Sequence, residues 1–306
     1  MAKKNKQTLP QLREELTQLI KNFDNELLAT DLRIKVLSLV AVFNQLREIG
    51  KSLIDETRSD SARNRILRYF IKYPKQILSG DEFLVVSGIQ EYARRIRELR
   101  VQEGWTIISG KTAKEIADEE PDSQEAHLFR KMAPDDYILL SSEQDRDAAH
   151  RWYFANSLRN EKTGAKEKIL RYFRKNVGQQ ITSEELRYIS NDKSEWARRV
   201  RELRTEEGWP IVTKSSGNPD LPVGVYILEE DRQSPAHDRV ISDTVRIAVL
   251  RRDNYKCVKC GWSSNEWDRS TPRHLELHHI KHHVEGGANT IENLITVCTV
   301  CHDEIH

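Results

Sequence analysis

The sequence predicts a multidomain α+β chain, mainly α with small β hairpins, and three observations carry that expectation. The 306 residues are 32% charged with a mean hydropathy of −0.68, which suits several small cores better than one large one. The middle of the chain is duplicated. All four cysteines and most of the histidines crowd into the stretch from Cys257 onward. Together these features divide the chain into an N-terminal helical region (1–60), two repeats (61–145 and 146–235) and a C-terminal domain (236–306).

The helical region begins at Thr8, where Gln11 three residues on makes a capping-box pattern. Leu12, Leu16, Leu19, Phe23 and Leu27 follow at helical spacing. A second helix from Thr30 is apolar over more of its surface, with Ile34, Leu37, Val40, Phe43, Leu46 and Ile49. A two-helix hairpin cannot bury that much apolar surface alone, so it packs on the first repeat or on another subunit.

In the repeats, Ile66-Leu-Arg-Tyr-Phe70 returns as Ile169-Leu-Arg-Tyr-Phe173, and Ala93-Arg-Arg-Ile-Arg-Glu-Leu-Arg100 returns as Ala197-Arg-Arg-Val-Arg-Glu-Leu-Arg204. Gly104-Trp105 returns as Gly208-Trp209, with one residue of insertion between the two registers. Each copy predicts a helix, a second helix (80–86 or 183–189), the arginine-rich helix, and two strands (106–109 and 137–140, or 211–213 and 225–228). The first copy carries a long, partly acidic insertion at 111–136 between its strands. At about 100° per residue, Tyr92, Ile96 and Leu99 form one stripe facing the core, as do Trp196, Val200 and Leu203. Arg94 and Arg97, like Arg198 and Arg201, project from the opposite side, as recognition helices present side chains to phosphate and guanine edges. The bland alternative is a solvated face with internal Arg–Glu pairs, since Glu98 and Glu202 lie on the same helices. Helices followed by a hairpin resemble the winged-helix form of helix-turn-helix.

In the C-terminal domain, Cys257-x-x-Cys260 and Cys298-x-x-Cys301 supply four thiolates, the donor set of a closed structural Zn²⁺ site. In a reducing compartment such pairs point to metal ligation rather than disulfides. Between and after them stand His278-His279, Gly286-Gly287, Asn289, Asn293, His302 and His306. This spacing resembles the HNH, or ββα-metal, endonuclease family over roughly residues 240–306. The resemblance implies His279 as the general base, Asn293 as the residue that orients it, and His278, His302 and His306 as ligands of one catalytic divalent metal. Many members have Asp where His278 stands; a three-histidine site is softer and favours Mn²⁺, Co²⁺, Ni²⁺ or Zn²⁺, with Mg²⁺ still open. Glu276 resembles a structural acid of one branch of the family, with Arg251 or Arg252 as its partner or, alternatively, a strand-surface carboxylate. His282 and His283 have no counterpart in the motif and are read as loop residues in reach of phosphate.

A net charge of +1 excludes a polycation, so contact with nucleic acid must come from local basic faces. No apolar run reaches the roughly 18 residues of a membrane span, and the polar start has no apolar region behind it, so the expected location is cytoplasmic with no membrane partner. The expected function is a type II restriction-like endodeoxyribonuclease acting on double-stranded DNA, with its specificity in the repeats. One such site cuts one strand, so a homodimer is expected. A modification-dependent restriction enzyme and a non-cutting, zinc-stabilised DNA-binding regulator are the alternatives.

Overall fold

The computed structural model describes residues 7–26, 28, 31–54, 60–234, 241–282 and 287–305. The chain forms two compact units, Met1–Gly110 with Met132–Ala149, and Lys111–Lys131 with His150–His306. The elements are mostly helices, joined by small antiparallel sheets.

In the first unit α1 (Leu9–Glu26) and α2 (Leu32–Ile54) form a hairpin. Its start follows the expected pattern, as the Thr8 amide donates to Gln11 Oε1 at 2.7 Å. The hairpin packs on the first repeat through α2 and α4, where a Cβ on Gly50 would stand 2.4 Å from the Val85 carbonyl oxygen. Only a glycine permits that approach. Ile34, Leu37, Val40, Phe43 and Leu46 remain about half exposed on the other faces of α2.

The first repeat comprises α3 (Ala62–Lys72), α4 (Gly80–Ser87), α5 (Tyr92–Arg97) with a π-helical turn at Glu98–Gln102, β1 (Trp105–Ser109) and β2 (Tyr137–Gln144). A capping box starts α4: the Ser79 amide donates to Glu82 Oε1 at 2.9 Å and Ser79 Oγ accepts from the Glu82 amide at 3.3 Å. Ile66, Phe70, Phe83, Ile96, Leu99, Ile107 and Leu139 form the core, so the apolar stripe of the arginine helix faces inward. Gly104 adopts φ +75°, and a Cβ there would meet the Asp145 carbonyl oxygen at 1.8 Å. That explains the glycine before each repeated tryptophan, since Gly208 also has positive φ (+71°).

The second unit opens with the insertion, folded as α6 (Gly110–Glu119) and α7 (Ala126–Arg130). By sequence this segment lies within 61–145, yet Lys111–Lys131 groups with the second copy. The reason is electrostatic and apolar together: Glu115 receives Arg187 at 2.5 and 2.6 Å and the Trp196 indole at 2.6 Å, and Ile116 packs beside Gly224.

The second copy comprises α8 (Arg146–Asn160), α9 (Ala165–Lys175), β3 (Ile181–Thr182), α10 (Ser183–Ile189), α11 (Trp196–Thr205), β4 (Ile211–Val212) and β5 (Val225–Leu228), with strand order β3-β5-β4. Its core repeats that of the first: Ile169, Phe173, Leu186, Trp196, Val200, Leu203, Ile211 and Leu228 are buried. A second capping box, Thr182 with Glu185, starts α10 where Ser79 and Glu82 start α4.

The C-terminal elements are α12 (Asp243–Arg252), the antiparallel pair β6 (Leu275–His279) and β7 (Leu294–Cys298), and α13 (Thr299–Asp303). Val249, Leu250, Trp262, Leu277, Leu294 and Val297 fill the small core between them. No described helix is long and apolar enough to cross a membrane.

Candidate metal and nuclease site

The sulfurs of Cys257, Cys260, Cys298 and Cys301 all lie within 4.8 Å of one another, with Cys260 and Cys298 at 3.7 Å. Four thiolates about 2.3 Å from a tetrahedral zinc stand about 3.8 Å apart, whereas a disulfide needs about 2.05 Å, so the donor set fits the metal and not a bridge. The backbone builds the first half as a tight knuckle. The Gly261 amide donates to the Cys257 carbonyl at 2.9 Å, and Gly261 has φ +79°, which favours glycine. The Val258 amide donates to the Thr296 carbonyl at 2.9 Å, tying the knuckle to β7. The second half is the β7–α13 junction itself, because Cys298 ends the strand and Cys301 sits on the helix.

This clip fixes the start of α13 and with it His302, the residue after Cys301. Residues of β6 alternate in direction, so Glu276 and His278 share a face. Both meet His302: its Nδ1 lies 2.5 Å from Glu276 Oε2, and its ring centroid is 5.1 Å from that of His278. A carboxylate on one ring nitrogen sets the tautomer and turns the other nitrogen toward a metal. His282, in the loop after β6, brings its ring 5.5 Å from His278. His306, His283 and Gly286 lie outside the described residues.

Glu276 differs from both expectations for it. Neither Arg251 nor Arg252 reaches it among the described residues, and it is buried rather than on a strand surface. Arg252 is spent elsewhere, donating to the Ile291 and Leu294 carbonyls at 2.6 and 2.7 Å and pairing with Asp253. Histidines take the place of the arginine: His274 Nε2 stands 3.1 Å from Glu276 Oε1, and Ser234 Oγ donates to the same oxygen at 3.2 Å. Burial alone would push the Glu276 carboxyl up, but His274 and His302 outweigh it and hold the group far below the usual carboxylate range. Burial pulls His274 down, yet its hydrogen bonds to Glu230 and Glu276 raise it from 6.5 to about 9. Each partner of the buried pair thus favours the charged form of the other. His274, just before β6, has one signal in the sequence, an imidazole two residues ahead of Glu276.

His279 is buried and leaves β6 from the face opposite His278. Its Nε2 lies 2.7 Å from Asn289 Oδ1. The expected partner, Asn293, serves another purpose. Its amide donates to the Lys281 and Ala288 carbonyls at 3.1 and 3.0 Å and accepts from the Lys281 amide at 2.9 Å. Among the described residues its side chain bonds only to backbone, satisfying groups that lie beyond the β6–β7 ladder. Gly287 permits this closure, since a Cβ would meet the Lys281 carbonyl oxygen at 1.8 Å.

Arg94, Arg97, Arg198 and Arg201 are all exposed. The shortest internal pairs belong to their neighbours, Arg95 with Glu98 and Arg199 with Glu202, each at 2.8 Å, but Arg94 and Arg198 share those same glutamates. Arg94 is only loosely held, 3.4 Å from Glu98, while Arg198 pairs with Glu202 at 3.1 Å and Arg201 with Glu119.

Two strands and a helix, clipped by four thiolates around converging imidazoles, define a ββα-metal nuclease domain. Residues 257–306 match the HNH endonuclease family model, and residues 63–140 and 166–229 match the model of the KpnI N-terminal domain. The chain thus carries an HNH endonuclease domain, a nuclease whose substrate is DNA, behind a duplicated unit of KpnI N-terminal type. The two matched segments lie one within each copy. No curated protein and no solved structure matches the chain.

Proposed function

We propose that this protein is a metal-dependent restriction-type endonuclease that hydrolyses phosphodiester bonds of double-stranded DNA at a sequence read by its repeats acting as winged helices. The observation that carries the reading is the meeting of His278 and His302 above the buried Glu276, with His279 next in the strand. His278 and His302, with His306, would hold one divalent ion. When bound, that ion supplies Lewis-acid charge at the scissile phosphate and its leaving oxygen. Glu276 fixes the tautomer of His302 from behind. His279 takes the proton of the attacking water, a task for an imidazole working near neutral pH. A proton on Nε2 would be accepted by the Asn289 carbonyl oxygen facing it and would leave Nδ1 as the basic nitrogen. The four cysteines hold structural zinc and keep α13 in register with β6.

A single site cuts one strand, and a homodimer would supply the second. The exposed apolar faces of α2 support that assembly. Reduced thiols at the clip suit a cytoplasmic enzyme.

The test is digestion of methylated and unmethylated plasmid in Mg²⁺, Mn²⁺, Co²⁺ and Ni²⁺, with the cut ends sequenced. Cutting of unmethylated DNA at fixed sites is expected. Cutting of methylated DNA alone would replace the reading by modification dependence, and no cutting in any metal would leave a zinc-stabilised DNA-binding regulator.

A further inference from the structure

The two arginine helices are alike in sequence but not in surroundings. In the second copy Arg187, Arg201, Arg204 and Lys214 around α11 meet acids from outside the repeat, whereas Arg198 and Arg199 pair with Glu202 on α11 itself. Glu115 and Glu119 lie one turn apart on α6 and so share a face. Glu115 holds Arg187 of α10 and the Trp196 indole at the start of α11, and Glu119 holds Arg201, with Nε at 3.1 Å. On the other side Asp243, at the start of α12, takes Arg204 at 2.7 and 3.3 Å. Lys214, after β4, lies 3.3 Å from Glu125.

These contacts place acidic side chains against both helices of the second copy's helix-turn-helix, where phosphates would have to lie if α11 entered a groove. Glu115 also holds the buried end of α11, so α6 is fastened to the core rather than resting on a charged surface. Trp196 is fully buried, and its indole needs a partner that Glu115 supplies.

Among the described residues, Arg94 and Arg97 of the first copy meet no acid from outside their own helix and its cap. The residue equivalent to Arg187 is Leu84, so the second basic anchor is missing. Arg94, 67% exposed, is held by residues of its own helix and its start at 3.4 and 3.9 Å, much as Arg198, 69% exposed, is held by Glu202; the two copies differ at Arg201, which Glu119 holds, and its counterpart Arg97. Arg97 is exposed and makes no ion pair among the described residues.

We propose that base readout lies with the first copy, through Arg94 and Arg97 on α5, and that α6 masks the second copy's α11, making that copy the mount of the nuclease domain. This rests on the reading of the chain as a DNA endonuclease. Duplication then leaves one copy to read and one to hold, with the insertion of the first copy serving as the cover of the second.

Three full-length variants test it: Arg94→Ala with Arg97→Ala, Arg198→Ala with Arg201→Ala, and Glu119→Gln. Binding is read by fluorescence anisotropy on a random-sequence duplex of about 40 base pairs across a salt series, and specificity by sequencing plasmid cut ends. Thermal melts confirm that each variant folds. Removing Arg94 and Arg97 is expected to broaden the cut-site consensus and to weaken binding by about tenfold. Removing Arg198 and Arg201 should stay within about twofold and leave the consensus intact. Glu119→Gln, which frees Arg201, should steepen the salt dependence by up to about one contact without altering the consensus. A tenfold loss from Arg198 and Arg201, no loss from Arg94 and Arg97, or a changed consensus in Glu119→Gln overturns the proposal. Wild-type protein that neither binds nor cuts DNA sinks the endonuclease reading instead.

Discussion

Glu276→Gln changes one atom type at the back of the nuclease site and leaves its shape. The native carboxylate is 4% exposed and accepts from three donors: His302 Nδ1 at 2.5 Å, His274 Nε2 at 3.1 Å and Ser234 Oγ at 3.2 Å. Glutamine offers one acceptor and one donor group, so one of the two histidines must face an N–H with its own N–H. Each charge-assisted bond is worth about 1.5–3 kcal/mol, and the lost one also leaves an imidazole less firmly turned toward the metal. Loss of such an outer partner weakens metal affinity by about 10–100-fold. The assay is initial cleavage rate against Mn²⁺ concentration, with zinc content and melting temperature measured on the same samples. The half-saturating Mn²⁺ should rise by at least about tenfold, with one zinc retained. An unchanged metal dependence in a folded variant would refute the claim that Glu276 orients His302, and a lowered melting temperature alone would make it structural only.

Further predictions concern the clip, the base and the buried acid. Cys260→Ser should remove zinc from the purified protein by metal analysis and loosen the β6–β7–α13 segment in hydrogen exchange; retained zinc at full affinity would contradict the four-thiolate site. Asn289→Ala should lower the cleavage rate by about tenfold at saturating metal, without moving half-saturation; an unchanged rate would contradict its hold on His279. Glu120 sits in the second unit with both carboxylate oxygens buried and without a hydrogen bond among the described residues. Burial raises it from 4.5 to about 7 against the opposing pull of Arg204 and Lys214. Its folded value lies above its unfolded one, so the stability from the neutral form is full below about pH 4 and is lost as pH rises through 7, by about 3 kcal/mol. Glu120→Gln should therefore melt higher than wild type at pH 8, with the gap closing toward pH 5; a gap that does not depend on pH would contradict the burial argument.

The parts legible in the sequence were those set by local spacing. Helical periodicity placed Ile96, Leu99, Val200 and Leu203 inward, and two Cys-x-x-Cys pairs brought their sulfurs together. Partner choice across the chain was not legible. Glu115 meets Arg187 72 residues away, and nothing in the charges of α6 distinguishes that arginine from the others. Glu276 was expected to face an arginine, but helix α12 spends Arg252 on two carbonyls, leaving the carboxylate to His274 and His302. Asn289 and Asn293 carry the same amide, and only the closure of the loop at Gly287 decides which one reaches His279. The π-helical turn at Glu98–Gln102 has no pattern of its own, since the same Glu-Leu-Arg forms a regular helix in α11.

The central claim is that the histidines of β6 and α13 cut DNA. Its most direct test is plasmid cleavage by His279→Ala beside wild type in Mg²⁺ and Mn²⁺, with zinc content and DNA affinity measured in parallel. Cleavage should disappear while zinc and binding stay at wild-type levels. Cleavage retained by that variant would contradict it.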